Sequence, residues 1–354
     1  MAGASMIDKT ISPGLFITLA IVLLGILLST SLLLPHDRYY RYQSHDNIST
    51  RKADWIYERL HFDETPIDVA LIGTSRMAGG LSGPLIQKRY CKATGREIHV
   101  ANLAIPMTGR NMHYVVAKEA ARIKQPTLAV IEINDVESRR PHPGFIFLAD
   151  AHDVLTAPLM LNMNYFSDLI RLPGRQANLF AQSVLGKPTV RREFDPESYA
   201  GSNLDLTEIM LSIDGQIMSR YVYNDRARMN AMQSIRLENA SPVYLLPSPL
   251  RTLEYRLSRI YINRIQHEIT KIGAATEYAY LPAYGEPAPP QAMLEELGLN
   301  TPMFDLGGDA ANDAAQWLNV THFNADGARR ASERFTDRLI ETYPTLGQPS
   351  KDCG

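Results

Sequence analysis

The chain has 354 residues, of which 45% are hydrophobic and 21% charged, with a formal net charge of -2. That is the composition of a folded protein with one large or two small domains, and it excludes a low-complexity chain. It also excludes a nucleic-acid footprint, which needs a basic face of clustered Lys and Arg.

Residues 1–11 read as a short N-terminal tail. Thr10 to Pro35 contains no charge, and Leu15 to Leu34 is mostly Leu, Ile, Val and Ala, enough to cross a hydrocarbon core of roughly 30 Å. Residues 12–35 are therefore expected to be a transmembrane signal anchor. The competing reading is a cleavable secretory signal, but the apolar part exceeds an h-region of about 7–15 residues and Leu32-Leu33-Leu34-Pro35 offers no small-x-small cleavage site. A buried soluble helix is the third reading. Lys9 competes with Arg38 and Arg41, so charge does not orient the span. A long domain after a short tail favours an N-in, C-out arrangement. The expected location is the inner (cytoplasmic) membrane, single-pass, with the domain facing the periplasm or cell exterior and Tyr39, Tyr40 and Tyr42 in the interfacial belt.

Residues 36–65 are expected to form a juxtamembrane linker helix, with Ile48, Trp55, Ile56, Tyr57 and Leu60 in a loose helical pattern and Ser49 or Thr50 as N-cap. A domain over 66–345 follows. Short apolar runs at Asp68–Ile72, His99–Ala104, Leu128–Asn134, Pro242–Pro247 and Glu277–Leu281 lack alternation, as strands buried on both faces do. Helical patterns lie at Pro84–Thr94 closed by Gly95, Met112–Ile123, Leu253–Ile272 closed by Gly273, and Ala325–Thr342. This alternation predicts the α/β class, a three-layer α/β/α doubly wound parallel sheet whose ligands bind beyond the carboxyl ends of the strands.

Residues 137–239 break the rhythm, with scattered prolines, Tyr165, Phe166, Phe180, Tyr221 and Tyr223, and the charge cluster Arg191–Asp195. They read as an insertion or cap over the site. Pro282–Pro290 and Asp305–Asn312 read as loops leading to a histidine. Residues 346–354 read as a disordered tail, and two cysteines, Cys91 and Cys353, do not declare a disulfide framework.

Candidate chemistry starts at Gly73-Thr74-Ser75-Arg76, which ends the run Val69–Ile72 and is answered by His322. A serine hydroxyl needs an adjacent base, and the oxyanion formed on attack needs fixed donors. Ser75 is the candidate nucleophile and His322 the candidate base. The backbone N–H groups of Ser75 and Gly109 and the side-chain amide of Asn134 are candidate oxyanion donors. Arg76 and Arg110 flank these positions as possible contacts for an anionic or carbohydrate substrate, against the plainer reading of solvated charge. His113 reads as structural, and His152-Asp153 is discounted because adjacent helix positions face apart. No metal motif, Walker sequence or dinucleotide glycine pattern is present, so no cofactor is expected.

With these residues in this order, the chain resembles the SGNH (GDSL-like) hydrolase superfamily. Gly-Thr-Ser75 stands for its first block, Asn102-Leu103-Ala104 through Gly109 for its second, Ile133-Asn134-Asp135 for its third, and Asn319-Val320-Thr321-His322 for its last. The resemblance spans about residues 68–342, with the insertion unmatched. One position departs: the aspartate that the family carries three residues before its histidine is Asn319 here. Either Ser75 and His322 act as a dyad, with a backbone carbonyl or Asp313 assisting, or the protein is catalytically weak.

The resemblance implies a serine-dependent O-acyltransferase or esterase. Membrane-anchored members of this type include the proteins of alginate acetylation and teichoic acid D-alanylation. It thus implies a cell-surface polysaccharide or other polymer as substrate and a multi-span membrane-bound O-acyltransferase as partner. A plain ester hydrolase and a non-catalytic scaffold of a cell-envelope modification complex are the alternatives.

Overall fold

The computed structural model describes residues 12–43, 50, 52–134, 139–186, 194, 206–211, 216–240, 242, 244–299, 302–350 and 352–353. The tail 1–11, Ser49, Asp135 and the Arg191–Asp195 cluster other than Phe194 lie outside them.

Helix α1 (Pro13–Leu32) starts at Ser12, whose hydroxyl accepts the Leu15 N–H, with Pro13 in the first turn. Its 20 residues span about 30 Å, with mean hydropathy 2.5 and nothing buried. It is the one helix among the described residues long and apolar enough to cross a bilayer. Helix α2 (Ala53–His61) follows Lys52, which has φ 79°. Expected as a juxtamembrane linker, it buries Trp55, Ile56, Tyr57 and Leu60 in the core of the domain.

The domain is a five-stranded parallel sheet of β1 (Val69–Ile72), β2 (Val100–Asn102), β3 (Leu128–Ile133), β4 (Ala275–Tyr280) and β5 (Phe304–Asp305), in the order β2-β1-β3-β4-β5. Strand residues alternate between two cores. Ala70, Ile72, Ala129, Ile131 and Ile133 join the face covered by α5 (Arg110–Ile123) and α7 (Arg256–Lys271). Val69, Leu71, Leu128 and Val130 join the face covered by α4 (Gly83–Thr94) and α8 (Ala325–Thr342). The expected three layers are therefore present. Strand order reverses between β1 and β3, and the crevice at such a switch point, beyond the strand ends, is where ligands bind in these sheets.

Three expectations change. The described part of Pro242–Pro247 is not a strand; the N–H groups of Leu245 and Leu246 donate to the Glu254 carboxylate. The fifth strand is instead Phe304–Asp305, too short to carry a hydrophobic pattern. The segment expected to be a disordered tail is held: Gln348–Pro349 pairs with Arg96–Glu97, and Cys353 is disulfide-bonded to Cys91 on α4. Within the expected insertion lies α6 (Tyr165–Leu185), against which α1 packs.

Candidate active site

After β1 the chain turns through Gly73 and Thr74 and enters α3 (Ser75–Gly80) at Ser75. A buried carboxylate on β3 fixes this turn. The Thr74 N–H donates to Glu132 Oε2 at 2.6 Å and the Thr74 hydroxyl to Oε1 at 2.9 Å. Glu132 has no exposed surface, and burial pushes its carboxyl pKa up. Gly73 is required by space, since a Cβ there would lie 2.7 Å from Glu132 Cβ and 2.8 Å from Met77 Cβ. At the far end of α3, Asn102 Nδ2 donates to the carbonyls of Met77 and Leu81, each at 2.9 Å. The helix that carries Ser75 is thus braced from β3 at its start and from β2 at its end.

The candidate base arrives from 247 residues away: His322 Nε2 lies 2.9 Å from Ser75 Oγ. His322–Phe323 pairs antiparallel with Trp317–Asn319. In the intervening turn Asn319 Oδ1 accepts the N–H groups of Thr321 at 2.9 Å and His322 at 3.0 Å. Those two donors fix the amide with its oxygen inward. The same oxygen lies 3.0 Å from His322 Nδ1. The Thr321 hydroxyl also lies 3.0 Å from Nδ1. An amide oxygen only accepts, so its contact is a hydrogen bond in the tautomer with the proton on Nδ1, the one that leaves the Nε2 lone pair for the Ser75 hydroxyl.

Burial, then the positive charges of Arg220 and Arg76, push the His322 pKa down to about 3. Arg220 is itself buried and follows the hairpin Ile209–Leu211/Ile217–Ser219. It donates to the carbonyls of Phe323 and Leu206, and its own carbonyl accepts the Ala325 N–H. Its guanidinium crosses α3 at Gly79, where a Cβ would lie 2.7 Å from Cζ. Arg220 therefore ties the strand that carries His322 to the helix that carries Ser75.

Gly109 and Asn134 both sit at the same strand-end edge. Gly109 has φ 143° and precedes α5, and a Cβ there would lie 2.5 Å from His142 Cβ, so only glycine fits. His142 donates from Nε2 to the Pro106 carbonyl at 2.8 Å, while its Nδ1 accepts the Gly144 N–H at 2.9 Å. It thereby fixes the loop that ends at Gly109. Asn134 follows β3, is 5% exposed, and its Oδ1 has no hydrogen-bond partner among the described residues. Neither residue is hydrogen-bonded to Ser75 among the described residues.

Arg110 is not a substrate contact. It is 2% exposed, and its guanidinium donates to the Glu132 carbonyl and lies 3.0 Å from His113 Nδ1. Arg76 donates to the Leu281 carbonyl at 3.2 Å and stays partly exposed. Asp313, the other candidate helper of His322, is engaged elsewhere. Its carboxylate accepts from Ala315 N–H and Gln316 Nε2 in its own turn, facing a groove of about 570 Å³ lined also by Asn224 and Asp309. Asp153 is ion-paired with Lys118 at 2.8 Å and is not coupled to His152.

Sequence reasoning missed Glu132, His142 and Arg220. Glu132 had a signal, a lone charge inside a strand buried on both faces. Arg220 had none, because its contacts are long-range, and the His142 contact that braces the Gly109 loop reaches back 36 residues to Pro106. Comparison with protein-family models, with curated proteins and with solved structures gives no match.

Proposed function

We propose that the protein is a membrane-anchored, extracytoplasmic serine acyltransferase or esterase of SGNH type, acting on an O-acyl group of a cell-surface polymer. The observation that carries this reading is the chain of contacts from Ser75 Oγ through His322 to Asn319. In the first half-reaction the Ser75 proton passes to His322 Nε2 as Oγ bonds to the acyl carbon. Negative charge gathers on the former carbonyl oxygen, facing the N–H groups of Ser75 and Gly109 and the Asn134 amide. The carbon–oxygen bond of the ester then breaks, and the leaving alkoxide takes the proton from the imidazolium, leaving an acyl-enzyme. In the second half-reaction an acceptor hydroxyl, or water, gives its proton to His322 and attacks the acyl carbon, and Ser75 recovers its proton as it leaves.

Asn319 holds the imidazole in the required tautomer and supplies no negative charge to stabilise the imidazolium. Arg76 and Arg220 oppose that cation further, while the same two charges favour the oxyanion. The result is a slow, weakly basic dyad. A non-catalytic scaffold is the second reading, favoured by the same depressed basicity.

Helix α1 supports the anchor, and the Cys91–Cys353 disulfide supports an oxidising compartment, since such bonds are rare in the cytosol. The test is to incubate the full chain with a small acetyl ester and follow acetyl on the Ser75 peptide by mass spectrometry. Acetyl that accumulates and is discharged faster by an oligosaccharide than by water identifies a transferase; discharge by water alone identifies a hydrolase. A Ser75 peptide that never gains mass contradicts both.

A further inference from the structure

Helix α6 buries one side and exposes the other, and the exposed side is the apolar one. Leu172, Gln176 and Leu179 are buried against the domain. At about 100° per residue, Phe166, Ile170, Ala177 and Val184 fall on the opposite side, with Leu185 at its margin. Phe166, Ile170, Val184 and Leu185 are 65%, 81%, 62% and 84% exposed even with α1 in place. A surface helix of a water-exposed domain has the reverse pattern. Between the two faces runs a polar flank of Ser167, Arg171 and Asn178, all exposed.

The position of α6 says what covers that stripe. Helix α1 packs against it, and the chain leaving α1 is bonded to its C-terminal end, where the Asp37 N–H donates to Ser183 Oγ at 2.9 Å. The end of α6 therefore lies at the level where the apolar helix ends. The helix itself does not cross, since Asp168, Arg171 and Arg175 interrupt it. An amphipathic helix beside a span, apolar on one side with a cation on the flank, fits the zone between headgroups and acyl chains.

We infer that α6 lies in the membrane interface, its Phe166–Ile170–Val184–Leu185 stripe among the acyl chains and Arg171 at anionic headgroups, so that the domain is seated on the bilayer and not merely tethered to it. This rests on reading α1 as a membrane anchor and is independent of the chemistry at Ser75.

The test uses the full chain in vesicles of phosphatidylcholine and phosphatidylglycerol, with single nitroxides at I170C and L185C, at L23C in α1, and at R338C on an exposed part of α8. The native cysteines are disulfide-bonded and take no label. Collision with oxygen should exceed collision with a water-soluble nickel chelate severalfold at positions 170 and 185, as at 23, with the order reversed at 338. Nickel-dominated collision at 170 and 185 with 23 still in lipid overturns the inference and leaves the anchor standing. Low accessibility to both reagents, or spin–spin broadening between copies, means that protein covers the stripe and also overturns it. Nickel-dominated collision at 23 removes the anchor and the inference together.

Discussion

His322 Nδ1 lies 3.0 Å from Asn319 Oδ1, an uncharged amide oxygen that also accepts the N–H groups of Thr321 and His322. Orientation and charge, which an aspartate supplies together, are here separated. In a related triad, replacing the aspartate by asparagine costs about 10⁴ in rate because the wrong tautomer results. Here the amide oxygen is held inward by two backbone N–H groups, so an acceptor faces Nδ1 and the charge is what is missing.

Asn319→Asp keeps the acceptor and adds the charge. An opposite charge at this range raises a histidine pKa by about one to three units, so the acid limb of the pH–rate profile should move up by that amount and the rate at neutral pH should rise. Asn319→Leu should abolish activity and loosen the 319–323 turn. An unchanged profile in Asn319→Asp would separate His322 from the proton transfer.

With the His322 pKa pushed down to about 3, the imidazole stays neutral far below its ordinary value of about 6.5. The rate of serine modification should therefore hold level from pH 7 to about pH 4, where an unperturbed histidine would already have lost activity. The stability effect has a definite sign. The unfolded chain binds a proton between about pH 6.5 and 3 that the folded chain does not, so stability falls as pH is lowered through that window. Asp168, pushed up to about 6 by burial, acts in the opposite sense. The comparison is therefore between wild type and His322→Gln: their difference in denaturation midpoint should shrink or reverse from pH 7 to pH 5.

Two glycines are fixed by space and not by backbone freedom. Gly79→Ala should displace the Arg220 guanidinium and with it the His322 strand, and Gly73→Ala should push on Glu132 and reset the Ser75 turn. Both are expected to lose serine reactivity by an order of magnitude or more while retaining native circular dichroism. Glu132→Gln keeps one acceptor for Thr74 and should be milder than Glu132→Ala, which leaves buried donors open at about 1–3 kcal/mol.

The strand ends, the helix starting at Ala325 and the positions of Ser75 and His322 were legible in the chain because each rests on a local pattern: an apolar run, a cap, a motif. The long-range partners Arg220 and Glu132 were not. Arg220 reaches Phe323 across 103 residues, and a linear pattern carries no signal for such a pair; Glu132, 58 residues from Thr74, showed only as a lone charge inside a buried strand, with no sign of its partner. Arg110 was misread for the same reason, since a cation beside a motif reads as solvated until the carbonyl it meets is known. The C-terminal segment was misread because its polar composition hides a covalent tie to α4.

That tie gives a further expectation. Cys353→Ser, or mild reduction, frees the pairing of Gln348–Pro349 with Arg96–Glu97. Removing a native disulfide typically costs about 2–5 kcal/mol, so the thermal midpoint should drop by several degrees, with serine reactivity at lower temperature preserved because Cys91 lies on α4, away from the strand ends that carry the site. A loss of reactivity at a temperature where the variant is folded would contradict that separation.

The most direct measurement is reaction of the full-length protein with a serine-directed fluorophosphonate, with the modified peptide read by mass spectrometry, in wild type and in His322→Ala. An activated Ser75 predicts a single adduct on the peptide containing Ser75 that disappears in His322→Ala with the fold intact. Folded wild-type protein with no adduct on Ser75, or an adduct equally fast without His322, would contradict it.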